Sequence, residues 1–107
     1  MPKLRTAAIL PIRLKEARKA LGLSQYSLGV KMGLPEEVSS ARINRYEKGR
    51  HLPDIETAER MAHELGVPLA YLLTADERLA AAILGFSRLS SEAQDKILSA
   101  IEKANKR

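Results

Sequence analysis

Asn44, Arg45 and Lys48 stand close together in the segment SSARINRYEKGR, and their shared chemistry is hydrogen bonding to flat polar edges and to anions. An arginine guanidinium can donate two parallel bonds to guanine O6 and N7. An asparagine carboxamide can pair with an adenine edge or bond a phosphate, and the methyl of Ala41 can meet a thymine methyl. If the segment is helical, turning about 100° per residue from Ile43 groups Ser39, Tyr46 and Glu47 on its side, with Ala41, Asn44, Arg45 and Lys48 opposite. One face is then core and the other is polar and cationic. Ser40, near the start of the segment, joins Ala41, Asn44 and Arg45 as a candidate for base contact.

Two short helices are needed to present that face. Ser24 is a good N-cap, Leu23 and Leu28 occupy the N′ and N4 positions of a hydrophobic staple, and Gly33 stops the helix after Met32, which predicts a helix over 24–32. Val38, Ser39 and Ile43 repeat the device, and Gly49 follows Lys48, which predicts a second helix over 39–48 with Ser39 as its N-cap. Gly29 costs a helix interior about 1 kcal/mol relative to alanine, but it allows another helix to approach the backbone closely. Tight packing is expected there.

With these residues the sequence resembles the Cro and phage-repressor type of helix-turn-helix, often called the XRE family. The likeness is carried by RLKEARKALGLSQ at 13–25, by Gly29, Met32 and Gly33, by INRYEKGRHLPD at 43–54 and by LGVPLAYLL at 65–73, so it covers 12–73. It implies a five-helix repressor-like domain that binds double-stranded DNA. It also implies that Gln25 anchors a phosphate at the start of the second helix, where unpaired backbone amides assist, and that Ser24 does the same while capping. Arg18 and Glu47 are implied as a structural ion pair tying the first helix to the third. Arg42, Lys48 and Arg50 are the other candidates for phosphate contact, with Lys31 and His51 weaker ones. In one respect the sequence departs, because 34–42 is longer than the family pattern by something like PEEV. An enlarged turn is expected, with Glu36 and Glu37 facing away from the phosphates that would repel them; the alternative is a third helix that starts at Pro35.

Around this unit, a first helix is expected from Pro11, which suits the N1 position, with Leu14, Ala17 and Leu21 as its apolar stripe, Arg13, Lys15, Glu16, Arg18 and Lys19 on the remaining face, and Gly22 as its end. Residues 1–10 then form an arm whose Lys3 and Arg5 either touch phosphate or are solvated. Asp54 should cap a fourth helix with Ile55, Ala58, Met61, Ala62 and Leu65 inward and Gly66 as terminator, and Pro68 should open a fifth. Two more helices are expected near 76–87 and 91–104. Leu79, Ile83 and Phe86 share one face of the first, and Ile97, Leu98 and Ile101 share one face of the second. The organisation expected is an arm over 1–10, a helix-turn-helix domain over 11–75 and a helical extension over 76–107. The apolar faces of that extension need covering, either by the domain or by a second copy.

Composition sets outer bounds. A chain of 107 residues holds one modest core, and four aromatic residues (Tyr26, Tyr46, Tyr71 and Phe86) leave that core to aliphatic side chains, as in an all-α bundle. The net charge of +5 is compatible with polyanion binding, and its distribution is more telling: residues 1–75 carry 12 Lys and Arg against 8 Asp and Glu, a balance of +4, whereas 76–107 carry 6 against 5, a balance of +1. The chain has no cysteine, no apolar run near the ~18 residues of a membrane span and no signal-peptide pattern, which predicts a cytoplasmic, disulfide-free protein without membrane contact. Enzyme signatures are missing as well. His51 and His63 lack metal-ligand partners at useful spacing, HELG at 63–66 lacks the second histidine of a zinc-protease helix, and there is no glycine-rich phosphate loop, so neither metal nor cofactor is expected.

The expectation is therefore a sequence-specific transcriptional regulator, a repressor, that acts as a homodimer on a palindromic operator. A different class stays open: an antitoxin-like or adaptor protein whose C-terminal helices hold a protein partner.

Overall fold

The computed structural model describes residues 6–106, which form α1 (Thr6–Ala20), α2 (Gln25–Lys31), α3 (Glu36–Glu47), α4 (Ile55–Leu65), α5 (Leu69–Leu73), α6 (Glu77–Ser87) and α7 (Ser91–Asn105). No strand occurs among the described residues, and the all-α expectation holds. Leu14, Leu28, Ile43, Met61 and Leu72 come one from each of the first five helices, and each is fully buried. Every such side chain contributes about 1.5–3 kcal/mol of burial, so five short helices that would be marginal alone close around a common centre.

Helix α1 begins at Thr6 rather than at Pro11, which lies inside it. Proline cannot donate to the carbonyl four residues back, but Ile9 and Leu10 are 3% and 2% exposed, and their burial carries the helix past that missing bond. Residues 6–10 are thus helical and not part of an arm; Lys3 and Arg5 lie outside the described residues. Leu14 and Ala17 are buried as the stripe requires, whereas Leu21 is 52% exposed because the helix has ended at Ala20 and the chain turns through Gly22 at φ 69°.

Ser24 caps α2, its Oγ accepting from the Ser27 amide at 2.9 Å. Helix α3 starts a full turn earlier than the Ser39 cap would have it. Pro35 occupies the N-cap position, Glu36 and Glu37 fill the first turn, and Ser39 is wholly buried with its hydroxyl donating back to the Pro35 carbonyl at 3.0 Å. Most of the additional PEEV sequence is therefore helix, the alternative left open by the sequence. Carboxylates in a first helical turn face the positive end of the helix dipole, which favours this start.

Asp54 caps α4 through the Thr57 amide at 2.8 Å, and Gly66 ends it in the left-handed region at φ 68°. Ala58, Met61, Ala62 and Leu65 are buried, but Ile55 is 65% exposed, since it is the first residue of the helix and lies outside the core contact. The last two helices are capped by Asp76 and Ser90 and fall close to their predicted limits. Of α6 only Ala80 is buried, and α7 buries nothing.

Candidate nucleic-acid interface

Three helices are locked together behind the outward face of α3 by one charged network. Arg18 donates through Nε and Nη2 to Glu47 Oε2 and Oε1 at 2.5 and 3.1 Å, and through Nη1 to the Leu23 carbonyl at 2.8 Å. Gln25 Nε2 adds a bond to Glu47 Oε1 at 3.1 Å. The Arg18 and Glu47 side chains are 10% and 3% exposed, so a two-pronged pair and its supporting bonds join the end of α1, the start of α2 and the end of α3 away from solvent. The bond to Glu47 and its nearby charge hold the Arg18 guanidinium above its already high ordinary pKa, against the opposing effect of burial. Helix α2 is tied at one end by this network and packs closely on Ser39 of α3 at Gly29, so the two helices are held together at two points.

On the outer side of that unit, Ser40, Ala41, Arg45 and Lys48 are exposed and Asn44 is half-buried. Arg50 is also exposed, just beyond Gly49, while Arg42 is half-buried at the flank. The residues expected to face outward do so together, and Ile43 and Tyr46 face the core. At the opposite end, Ser24 has its hydroxyl engaged twice, accepting from the Ser27 amide and donating to Ser27 Oγ at 3.0 Å. Gln25 spends one of its two amide hydrogens on Glu47, which leaves the second and the main-chain amides of the α2 N-terminus for an anion.

The earlier start of α3 adds residues to this face. Counting about 100° per residue places Glu37 and Val38 among Ala41, Arg45 and Lys48, and both are exposed. Glu36 falls on the Ile43 side instead, where it accepts from the Tyr26 hydroxyl at 2.6 Å. That bond holds the Tyr26 phenol above its ordinary pKa and pins the added turn to α2. No local pattern foretold the Tyr26–Glu36 contact. The expectation that both acids turn aside fits Glu36 and does not fit Glu37, whose helical position is outward.

Arg13 was another surprise. Its spacing places it on the face of the first helix away from the apolar stripe, yet it is 3% exposed and bonded to residues beyond α5. His51, next to Arg50 in the loop after α3, lies against Tyr46 with ring centroids 5.7 Å apart.

Such a face, with a protruding basic and carboxamide set on one short helix braced by another, matches what a sequence pattern can recognise. A model of the Helix-turn-helix family matches residues 14–72, more than half of the chain. The protein belongs to this helix-turn-helix family, and its XRE-type resemblance stands. Among solved structures, one described as the crystal structure of transcriptional regulator BswR is 42% identical, with a TM-score of 0.84 over 87% of this chain and 92% of that one. No curated protein matches the chain. This helix-turn-helix protein is a DNA-binding transcription regulator. Among the described residues no helix is long and apolar enough to cross a membrane, and no group of three or more His, Cys, Asp or Glu is placed to hold a metal.

Proposed function

We propose that the protein is a sequence-specific repressor that works in the cytoplasm as a homodimer on a palindromic operator, with α3 lying in the major groove. Arg45 reads a guanine; Ser40, Ala41 and Asn44 meet neighbouring base edges; Ser24, Gln25, Arg42, Lys48 and Arg50 hold phosphates on either side. The observation that carries this reading is the division of α3: Ile43 and Tyr46 are buried while Arg45 and Lys48 protrude from the opposite face of a helix fixed at its end by Glu47.

The dimer is supported by the extension over 76–107. Ile83 and Phe86 of α6 and Ile97, Leu98 and Ile101 of α7 line an open apolar groove of about 420 Å³, together with Pro68. Leu79, Ile97, Leu98 and Ile101 are 43–53% exposed in the single chain, a surface that association would cover. The same groove would fit a helix of a different protein, as in an antitoxin-like or adaptor role.

Selection of binding sites from random duplex DNA by the full-length chain tests the proposal. A two-fold symmetric site bound by two chains is expected. Enrichment of no sequence, together with a stoichiometric protein partner in the purified material, would establish the adaptor role in its place.

A further inference from the structure

The guanidinium of Arg13 joins three separate parts of the chain. From α1 it donates through Nε and Nη2 to the Thr74 carbonyl, at 3.2 and 2.8 Å, at the C-cap of α5. Its Nη1 pairs with Glu77 Oε1 at 2.6 Å in the first turn of α6, and more distantly with Glu16 at 3.6 Å. Its Cζ lies 5.3 Å from the Tyr71 ring centroid, and the residue is 3% exposed. One turn further along α6, Ala80 is 1% exposed, and after it α6 and α7 bury no residue. The direction in which the extension leaves the helix-turn-helix domain is thus set chiefly in the first turn of α6, by Arg13 on one side and Ala80 on the other, and further along half-buried Leu84 and exposed Arg88 share a pocket with α1.

We propose that Arg13 is the positioning residue that sets the distance between the two DNA-reading α3 helices of the dimer. This rests on the homodimer reading and gives it a mechanism. Helix α6 is about 16 Å long from its 11 residues at 1.5 Å each, so a swing of about 10° at its first turn moves its far end by about 3 Å, close to the rise of one base pair. A joint that loose would let the dimer accept neighbouring half-site spacings. Only a planar fork with donors pointing in several directions bonds the Thr74 carbonyl and Glu77 while lying against Tyr71; lysine offers one point charge on a flexible stem.

The experiment measures binding of full-length protein to duplexes carrying the two selected half-sites, with their separation changed one base pair at a time. Wild type should prefer one separation over its neighbours by about tenfold, since off-register binding must distort DNA or protein. Arg13→Lys and Glu77→Gln, the second altering an exposed carboxylate, should both flatten the preference to about threefold or less, with affinity for a single half-site and sedimentation as a dimer unchanged. A wild-type preference retained in both variants overturns the proposal, and so does flattening that comes with an equal loss of half-site affinity. If wild type itself sediments as a monomer, the dimer reading falls first and takes this one with it, a result read without any variant.

Discussion

Gly29 of α2 lies so close to Ser39 of α3 that a methyl group placed on it would stand 2.7 Å from the Ser39 Cβ and 3.0 Å from its Cα. The contact belongs to the most extensive helix pairing among the described residues, that of α2 with α3, and both residues are buried. Gly29→Ala should therefore destabilise the protein even though alanine favours helix by about 1 kcal/mol. Overpacking against main chain costs about 1–3 kcal/mol because α2 and α3 must separate. The expected outcome is a net loss of about 1 kcal/mol in urea unfolding, partly relieved in a Gly29→Ala, Ser39→Gly double variant, in which one of the two clashing carbons is gone. A more stable single variant would show that the helices separate easily.

Loss of the buried pair should be costlier. Glu47→Ala leaves Arg18 with only the Leu23 carbonyl and strips Gln25 of its acceptor. Removing one member of such a pair costs about 3–5 kcal/mol, because the remaining charge stays buried without compensation. Denaturant unfolding reads this directly, and a cost below about 1 kcal/mol would mean that solvent reaches Arg18 in solution.

Base reading and phosphate anchoring separate by their sequence dependence. Arg45→Ala should weaken binding to the selected site by about 1–3 kcal/mol and relax preference at one base position, while leaving binding to random duplex largely intact. Gln25→Ala should weaken binding to all duplexes without changing the preferred sequence. Repeating the site selection with each variant distinguishes the two roles, and an Arg45 variant that loses affinity uniformly would be a phosphate contact.

The α4 cap supplies a pH dependence. The bonds from Thr57 to Asp54 hold its carboxyl below the usual aspartate range. A depressed folded-state pKa means that the charged cap stabilises the fold fully above the ordinary value, about 3.9, and that this contribution is lost as pH falls through the lowered one. Asparagine caps a helix without titrating. The stability difference between wild type and Asp54→Asn should be constant from pH 7 to about pH 5 and shift against wild type in more acidic solution. A difference that does not change with pH would show that the Asp54 carboxylate adds nothing beyond a neutral cap.

Where an element is specified by its own ends, the sequence was sufficient. Ser24, Asp54, Asp76 and Ser90 each cap the helix predicted to follow them, and Gly33, Gly49 and Gly66 turn with positive φ where helices were expected to stop. The outward and inward faces of α3 also followed from spacing alone. Two starts were misplaced because a local pattern had two readings. Pro11 fits N1, yet it is held inside α1 by the burial of Ile9 and Leu10; Ser39 fits an N-cap, yet its hydroxyl bonds backwards to Pro35. Arg13 was beyond local reasoning altogether, since its acceptor at Thr74 lies 61 residues away. Glu37 joined the outward face only because α3 starts earlier than its serine suggested.

That same burial pattern determines how the dimer should be tested. Deleting everything after Thr74 would remove Glu77 from Arg13 and Ala80 from its seat, so a truncated chain that misbehaved would report a damaged domain as readily as a lost interface. Helix α7 avoids the ambiguity. None of its described residues is buried, Ile97 and Ile101 are 43% and 52% exposed, and Gln94 Nε2 bonds it to the Phe86 carbonyl of α6 at 2.8 Å. Replacing both isoleucines with glutamate should leave the monomer's buried core intact and lower its melting midpoint only slightly, because neither side chain is buried and only their partial contacts along the groove are lost. In the dimer the same charges would have to be desolvated in an apolar groove, which association cannot offset. Sedimentation at tens of micromolar should thus move from dimer to monomer, and preference for a palindrome over a single half-site should disappear while half-site affinity persists. If the double variant remains a dimer with its palindrome preference intact, the two chains meet through some other surface, and the groove between α6 and α7 is not their interface.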